Sequence, residues 1–396
     1  MGLMRGLAQH SEHELDRRKP SIRGLIDDLA QCRAKPWGVG MRREIAPNKI
    51  LIRKLSSFLV MLRQRWCRVS AVLGKTTTSV RGDSIEPIER ARFKPSRPLV
   101  HMHIPKTAGT TLTAALIETL RPRTTFGGFD RVLFGDYEDF ASIDKEIRRW
   151  LYISADALPA VDFVSAHMAY STLRRAFADA QFITVLREPH TRLLSQWLYW
   201  RGTSDEILAN WGRWADRVRH ARRPLASFLR ERSVACHVDN LGVRMLLWPN
   251  PLIPVDDFID PRHDHSLLAE ARDRLAGFAF VEVLENAELS ELLQTWLGQP
   301  CVLDRRNATP RIPEQLRSSL VDELTHEALD LVTMRSRLDL ELWKEVARHS
   351  LSGHDLDQVR ERTLLQSVAR YATLMTGSLT CPYQSTPAHT SAIAGM

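Results

Sequence analysis

The chain is poor in cysteine. Its five cysteines, Cys32, Cys67, Cys236, Cys301 and Cys381, are scattered along 396 residues and no two stand as C-x-x-C. That excludes a zinc ribbon, a C-x-x-C redox centre and a dense disulfide framework, and it suits a reducing compartment. Long apolar runs are also missing. In the most apolar N-terminal segment the longest uncharged stretch is the eight residues Leu55–Leu62, against ~20 for a membrane-spanning helix. The start of the chain has no apolar stretch of the kind a cleavable signal carries. The expectation is therefore a cytoplasmic protein with no signal peptide or transmembrane span. A Walker-type loop, G-x-x-x-x-G-K-[ST], is absent as well. Gly74-Lys75-Thr76 has the right ending, but Val69 stands where the first glycine must be and no strand leads in.

What is present is an ordinary globular composition, 44% hydrophobic and 26% charged, which rules out a wholly disordered or fibrous chain. The net charge of +8 is unevenly placed. Residues 1–97 hold 21 basic and 9 acidic side chains, a balance of +12, and the rest hold 34 and 38, a balance of −4. The basic character thus belongs to an extension, and no nucleic-acid groove across the main body is expected.

The sequence divides into a basic, partly helical or irregular extension (1–97), a main domain (98–350), and a C-terminal helix with a disordered tail (351–396). Pro20, Pro36, Pro47, Pro87 and Pro95 break the extension into pieces. Lys49 to Arg68 reads as a basic amphipathic helix. It could lie peripherally on the anionic inner face of a membrane, or pack on the domain with its arginines in water; the second reading is preferred.

From Pro98 the texture changes. Leu99–Ile104, Val161–His167, Gln181–Leu186 and Phe278–Leu284 read as four buried strands. Helical patterns fall after the first strand in LTAALIETL, and at Ser171–Ala178, Thr191–Trp200, Leu225–Arg232, Ser266–Arg274 and Leu289–Leu297. Two late helices are expected near Glu314–Leu329 and Ser336–His349. Strands alternating with helices imply an α/β fold, a parallel sheet flanked by helices.

Two segments carry chemistry. In HIPKTAGTTL, His103 to Leu112, a strand gives way to a short polar loop and a helix start. Such a junction aims backbone N–H groups and a helix dipole at one place, which is an anion site. Lys106 adds positive charge, and Thr107, Thr110 and Thr111 add hydroxyls around Ala108 and Gly109. In QFITVLREPHTRLLSQWLYWRG, Arg187 ends a strand and Ser195 lies two turns into the next helix, placed to hold a second anion. Together the segments describe a ligand with two separated anionic groups.

At these segments the sequence resembles the PAPS-dependent carbohydrate sulfotransferases, in motif the heparan sulfate 6-O-sulfotransferase-like branch. HIPKTAGTT is similar to the family's 5′-phosphosulfate loop and VLREPHTRLLS to its 3′-phosphate segment. DNLGVRML (Asp239–Leu246) and RNATPR (Arg306–Arg311) add weaker support. The resemblance runs from about Pro98 to His349. It implies a P-loop-like fold and 3′-phosphoadenosine 5′-phosphosulfate (PAPS) as donor, with no metal required. Lys106, Thr107, Ala108, Gly109, Thr110 and Thr111 would hold the phosphosulfate, and Arg187 and Ser195 the 3′-phosphate. The acceptor would be a hydroxyl, expected on a glycan, and the enzyme of bacterial type. The family's catalytic histidine falls on the segment of His167. That residue is also the leading general base on its own chemistry, since it ends a strand at the same edge and titrates nearest neutrality. An acid limb near pH 6–7 follows from an ordinary imidazole, and Glu188 is the next choice. His103 is expected as buried structure.

Other signals stay open. Arg305, Arg306, Asn307 and Arg311 could touch nucleotide or acceptor, or form a solvated turn. Asn240 and Arg244 could shape the acceptor side or lie on a helix surface. Trp197, Trp200, Trp211 and Trp214 fall in i, i+3 pairs and are read as core rather than as a sugar platform. The rival functions are a P-loop-type kinase and a noncatalytic protein that binds 3′-phosphoadenosine 5′-phosphate (PAP).

Overall fold

The structure, a computed structural model, describes residues 92–304 and 309–377. The expectations for residues 1–91, including Lys49 to Arg68, for Arg305, Arg306 and Asn307, and for the tail beyond 377 lie outside the described residues.

The core element is a five-stranded, all-parallel sheet: β1 (Leu99–Met102), β2 (Thr125–Phe126), β3 (Phe163–Ala166), β4 (Gln181–Leu186) and β5 (Phe280–Val283), in the order β2-β3-β1-β4-β5. Leu99 sits opposite both Phe163 and Gln181, so the three central strands start level. Strands covered on both faces by helices read as continuous apolar runs rather than as alternation, which is why four of them are visible in the sequence. The fifth, β2, is only two residues long and carries no pattern.

The helices that frame the sheet are α1 (Gly109–Leu120), α2 (Tyr170–Ala176), α3 (Pro189–Arg201), α4 (Leu241–Leu247), α5 (Asp264–Ala276), α6 (Leu289–Leu297), α7 (His326–Arg335), α8 (Arg337–Ser350) and α9 (Leu356–Thr376). On one face, α1 and α6 bury Leu112, Leu116, Leu293 and Trp296 against Leu99, Phe163, Ile183 and Phe280 of the sheet. Each such side chain stabilises the fold by about 1.5–3 kcal/mol. The helix expected over Glu314–Leu329 does not form as one piece. It is a 3₁₀ turn at Glu314–Leu316, a single turn at Leu320–Glu323, and then α7, restarted by the Thr325 hydroxyl accepting from the Ala328 N–H.

The four tryptophans are core, as expected. Trp197, Trp200, Trp211 and Trp214 are all buried, and Trp200 meets Trp214 edge-on at 6.4 Å. They anchor α3, of which every residue except Tyr199 is buried.

The chain leaves β1 for β2 and β3 on one side, and from β3 it crosses back past β1 to β4 on the other. β1 is therefore where the strand order reverses, and open α/β sheets bind ligands in the crevice at the carboxyl ends of the strands there. Ile104, His167 and Arg187 stand at or just past those ends.

Candidate active site

A cavity of ≈ 380 Å³ opens at this edge. That volume falls in the range of about 300–1,000 Å³ typical of small-molecule sites. Its lining includes Lys106, Thr107, Ala108, Gly109, Thr110, Thr111, His167, Arg187 and Ser195. All the residues expected to form the site therefore meet in one place.

The loop between β1 and α1 is built to face an anion. Lys106 and Ala108 both adopt left-handed backbone, with φ of 72° and 64°. Each such non-glycine residue costs on the order of 1–3 kcal/mol. The alternation of hand curls successive N–H groups into a concave nest that favours negative charge. Ala108 precedes α1 and no side chain caps the helix, so its dipole and first-turn N–H groups end at the nest. Thr107 is buried and its hydroxyl donates to the Ile104 carbonyl at 2.9 Å. That hydrogen bond closes the loop, and what Thr107 can offer an anion is its backbone N–H.

Lys106 lies with Nζ 3.9 Å from the centre of the Tyr199 ring, a cation–π contact. Burial pushes its pKa down to about 7, and the charges of Arg187, Arg192 and Arg370 push the same way. Arg187 joins the two expected anion segments. Its Nη1 donates to the Lys106 carbonyl at 3.1 Å, and its Nη2 donates to the Tyr371 hydroxyl at 3.0 Å. Behind it, the Glu188 N–H donates to Glu285 Oε1 at 2.9 Å, and Trp343 Nε1 donates to Glu285 Oε2 at 2.9 Å. The end of β4 is thus fixed from β5 and α8.

The tautomer of His167 is set from the end of a neighbouring strand. A carbonyl only accepts, so the 2.6 Å contact between His167 Nδ1 and the His103 carbonyl fixes the proton on Nδ1 and leaves Nε2 basic. Burial, and secondarily Lys106, lower its pKa to about 4 against the opposing pull of that hydrogen bond. The acid limb expected near pH 6–7 is thereby moved down. His103 packs on His167 with ring centroids 4.0 Å apart and on His101 at 5.2 Å. His103 is buried, as expected, yet it also lines the cavity. Asp130 positions the stretch after His167 by accepting from the Ala169 N–H at 2.9 Å and from the Thr172 hydroxyl at 2.7 Å.

Glu188 does not serve as the alternative base. It is the N-cap of α3, accepting from the Thr191 N–H at 2.8 Å and holding His190 Nδ1 at 2.5 Å. Burial would raise its pKa, but His190, Arg360 and these hydrogen bonds outweigh it and hold it at about 2.

Asn240 and Arg244 are neither acceptor groups in the cavity nor helix surface. They are buried. Arg244 pairs with Asp239 at 2.9 Å, and Asn240 Oδ1 accepts from the Leu338 N–H at 2.8 Å. Asp339 accepts from the Gly242 and Val243 N–H groups at the start of α4. This network clamps α4 to α8. Arg311 is exposed and does not line the cavity.

Four polar lining residues have no site role assigned from the sequence: Tyr199, Thr309, Arg370 and Tyr371. Tyr199 has a local signal, since it lies four residues after Ser195 and so on the same helix face. Arg370 and Tyr371 come from α9, beyond the stretch that carries the family resemblance, and no local pattern marks them.

No protein-family model and no curated protein matches the chain.

Proposed function

We propose that this chain is a PAPS-dependent sulfotransferase of P-loop-like fold that moves a sulfuryl group to a hydroxyl, in the carbohydrate class its motifs resemble. One observation carries the reading: Lys106, Arg187 and Arg370 line one cavity with a neutral histidine, and among the described residues no Asp or Glu joins them. Such a lining suits a polyanion held by the protein's own cations. A nest at a helix start and an arginine–serine pair at the next strand end suit the two phosphate-bearing ends of PAPS.

Sulfuryl transfer is an in-line displacement in which positioning and charge neutralisation do most of the catalysis, as in phosphoryl transfer. The acceptor oxygen attacks sulfur, and its proton passes to His167 Nε2. The bond between sulfur and the bridging phosphate oxygen breaks, and its electron pair leaves with PAP. Lys106 and the helix start stabilise the charge that collects there. His167 held neutral at ordinary pH is ready to accept the proton without first losing one.

The test is incubation with labelled PAPS and a panel of glycans, glycolipids and small alcohols, read by mass spectrometry. Sulfated product is expected, together with thermal protection by PAP and none by ATP with magnesium. Protection by magnesium ATP alone would point to a kinase. PAP protection with no product in any acceptor pool would point to a noncatalytic nucleotide-binding protein.

Among the described residues no helix is long and apolar enough to cross a membrane. The scarcity of cysteine supports action in the cytoplasm, with peripheral contact through Lys49 to Arg68 as the alternative.

A further inference from the structure

The arginine side of the cavity is closed by α9. Tyr371 is 2% exposed, and its hydroxyl oxygen accepts from Arg187 Nη2 at 3.0 Å. Ser195 makes a hydrogen bond with the same hydroxyl. Arg370, the preceding residue, also lines the cavity, and its charge acts on both Lys106 and Tyr371. Two adjacent residues of the helix thus reach the site, one as a cation and one as a hydroxyl already bound to the pair expected to hold an anion.

Resting on the donor reading above, we propose that Arg370 and Tyr371 complete the second anion subsite with Arg187 and Ser195, and that they set a preference for a nucleotide carrying a 3′-phosphate over one without it. Three considerations support this. Arg187 spends one nitrogen on the Lys106 carbonyl and one on Tyr371, so a phosphate placed there meets a guanidinium already committed on two sides. A dianionic phosphate needs further donors, and the tyrosine hydroxyl and the Arg370 guanidinium, which both line the cavity, can supply them. Burial works to raise the Tyr371 pKa, but the charge of Arg187 and the hydrogen bonds from Ser195 and Arg187 outweigh it, and the net shift is downward. A phenol under that pull is a stronger donor to an anion.

The experiment measures binding of PAP and of adenosine 5′-phosphate, which lacks the 3′ group, to the full chain, to Tyr371→Phe, and to Arg370→Gln and Arg370→Lys. Loss of a charge-assisted hydrogen bond corresponds to about tenfold or more in affinity. Tyr371→Phe and Arg370→Gln are each expected to weaken PAP by about tenfold while leaving adenosine 5′-phosphate nearly unchanged, and Arg370→Lys is expected to restore most of the loss. Arg370 is exposed, so its variants test the idea even if Tyr371→Phe folds poorly. Equal losses on both ligands, or none, would overturn the subsite while leaving the donor reading intact. If the parent protein itself binds the two nucleotides equally, the donor reading fails and the subsite fails with it.

Discussion

The His103 imidazole occupies the space into which a side chain on residue 109 would have to grow. A Cβ built on Gly109 would fall 1.8 Å from His103 Nε2. Glycine is needed there because a ring and a backbone approach closely at the first residue of α1, under the anion nest. The same ring packs on His167, so the start of α1 and the proposed base are mechanically connected through His103.

Gly109→Ala should therefore displace His103 and, through it, His167. Both PAP binding and turnover should fall, with a lowered melting temperature. Combining it with His103→Ala frees the space, and the double variant should recover much of the stability the single one loses. A double-mutant cycle measures this coupling. Additive losses would mean that the two residues do not oppose each other.

Lys106 gives a proton-linked binding reaction. Burial and its cationic neighbours hold its pKa at about 7, well below the ordinary lysine value, and a bound polyanion restores it. Above about pH 7, PAP binding should take up a proton, and affinity should weaken as pH rises. Calorimetry in buffers of different ionisation enthalpy reads the proton directly. Absence of exchange at alkaline pH would contradict the assignment. In the free protein the sign is the reverse of a stabilising ion pair. Between about 7 and the ordinary value the unfolded chain holds the proton and the native one does not, so this group makes stability rise with pH. Lys106→Ala should abolish the exchange and cut turnover severely with folding intact.

For His167, transfer should stay near its maximum down to mildly acidic pH and fall only towards about 4, where the buried imidazole takes a proton. His167→Ala should reduce the rate by about 100- to 10,000-fold, the usual contribution of a general base, with PAP affinity nearly unchanged. A folded variant that transfers at the parent rate would remove His167 from the mechanism. Loss of PAP binding instead would make it structural.

Four histidines, His101, His103, His167 and His237, are buried with pKa values lowered first of all by that burial. Unfolding lets each take a proton near the ordinary 6.5. Stability contributed by keeping them neutral is present above that pH and declines as pH falls, towards about 4 for His167 and about 3 for His101 and His237. Denaturant titrations across this window should give a slope approaching about 1.4 kcal/mol per pH unit for each histidine involved. A flat profile would mean that the four rings are protonated in the native protein.

Elements whose cause is local can be read directly from the chain. Gln181–Leu186 is legible as β4 in full and Leu289–Leu297 as α6, because a strand covered on both faces is mostly apolar and a helix end needs its own breaker, here Gly298 in the left-handed region. The loop between β1 and α1 is legible for the same reason: strand, polar turn and helix start are contiguous in the chain. The other features depend on contacts between distant segments. β2 exists because two residues find β3, and the helix expected over Glu314–Leu329 divides where Thr325 caps a fresh one. Only packing could put Arg370 and Tyr371 beside Arg187, more than 180 residues earlier in the chain, since no spacing encodes a contact of that range. Acidity is likewise a property of place. An imidazole titrates near neutrality by its own chemistry, and it is burial beside β1, with its Nδ1–H given to the His103 carbonyl, that holds His167 neutral with Nε2 unprotonated.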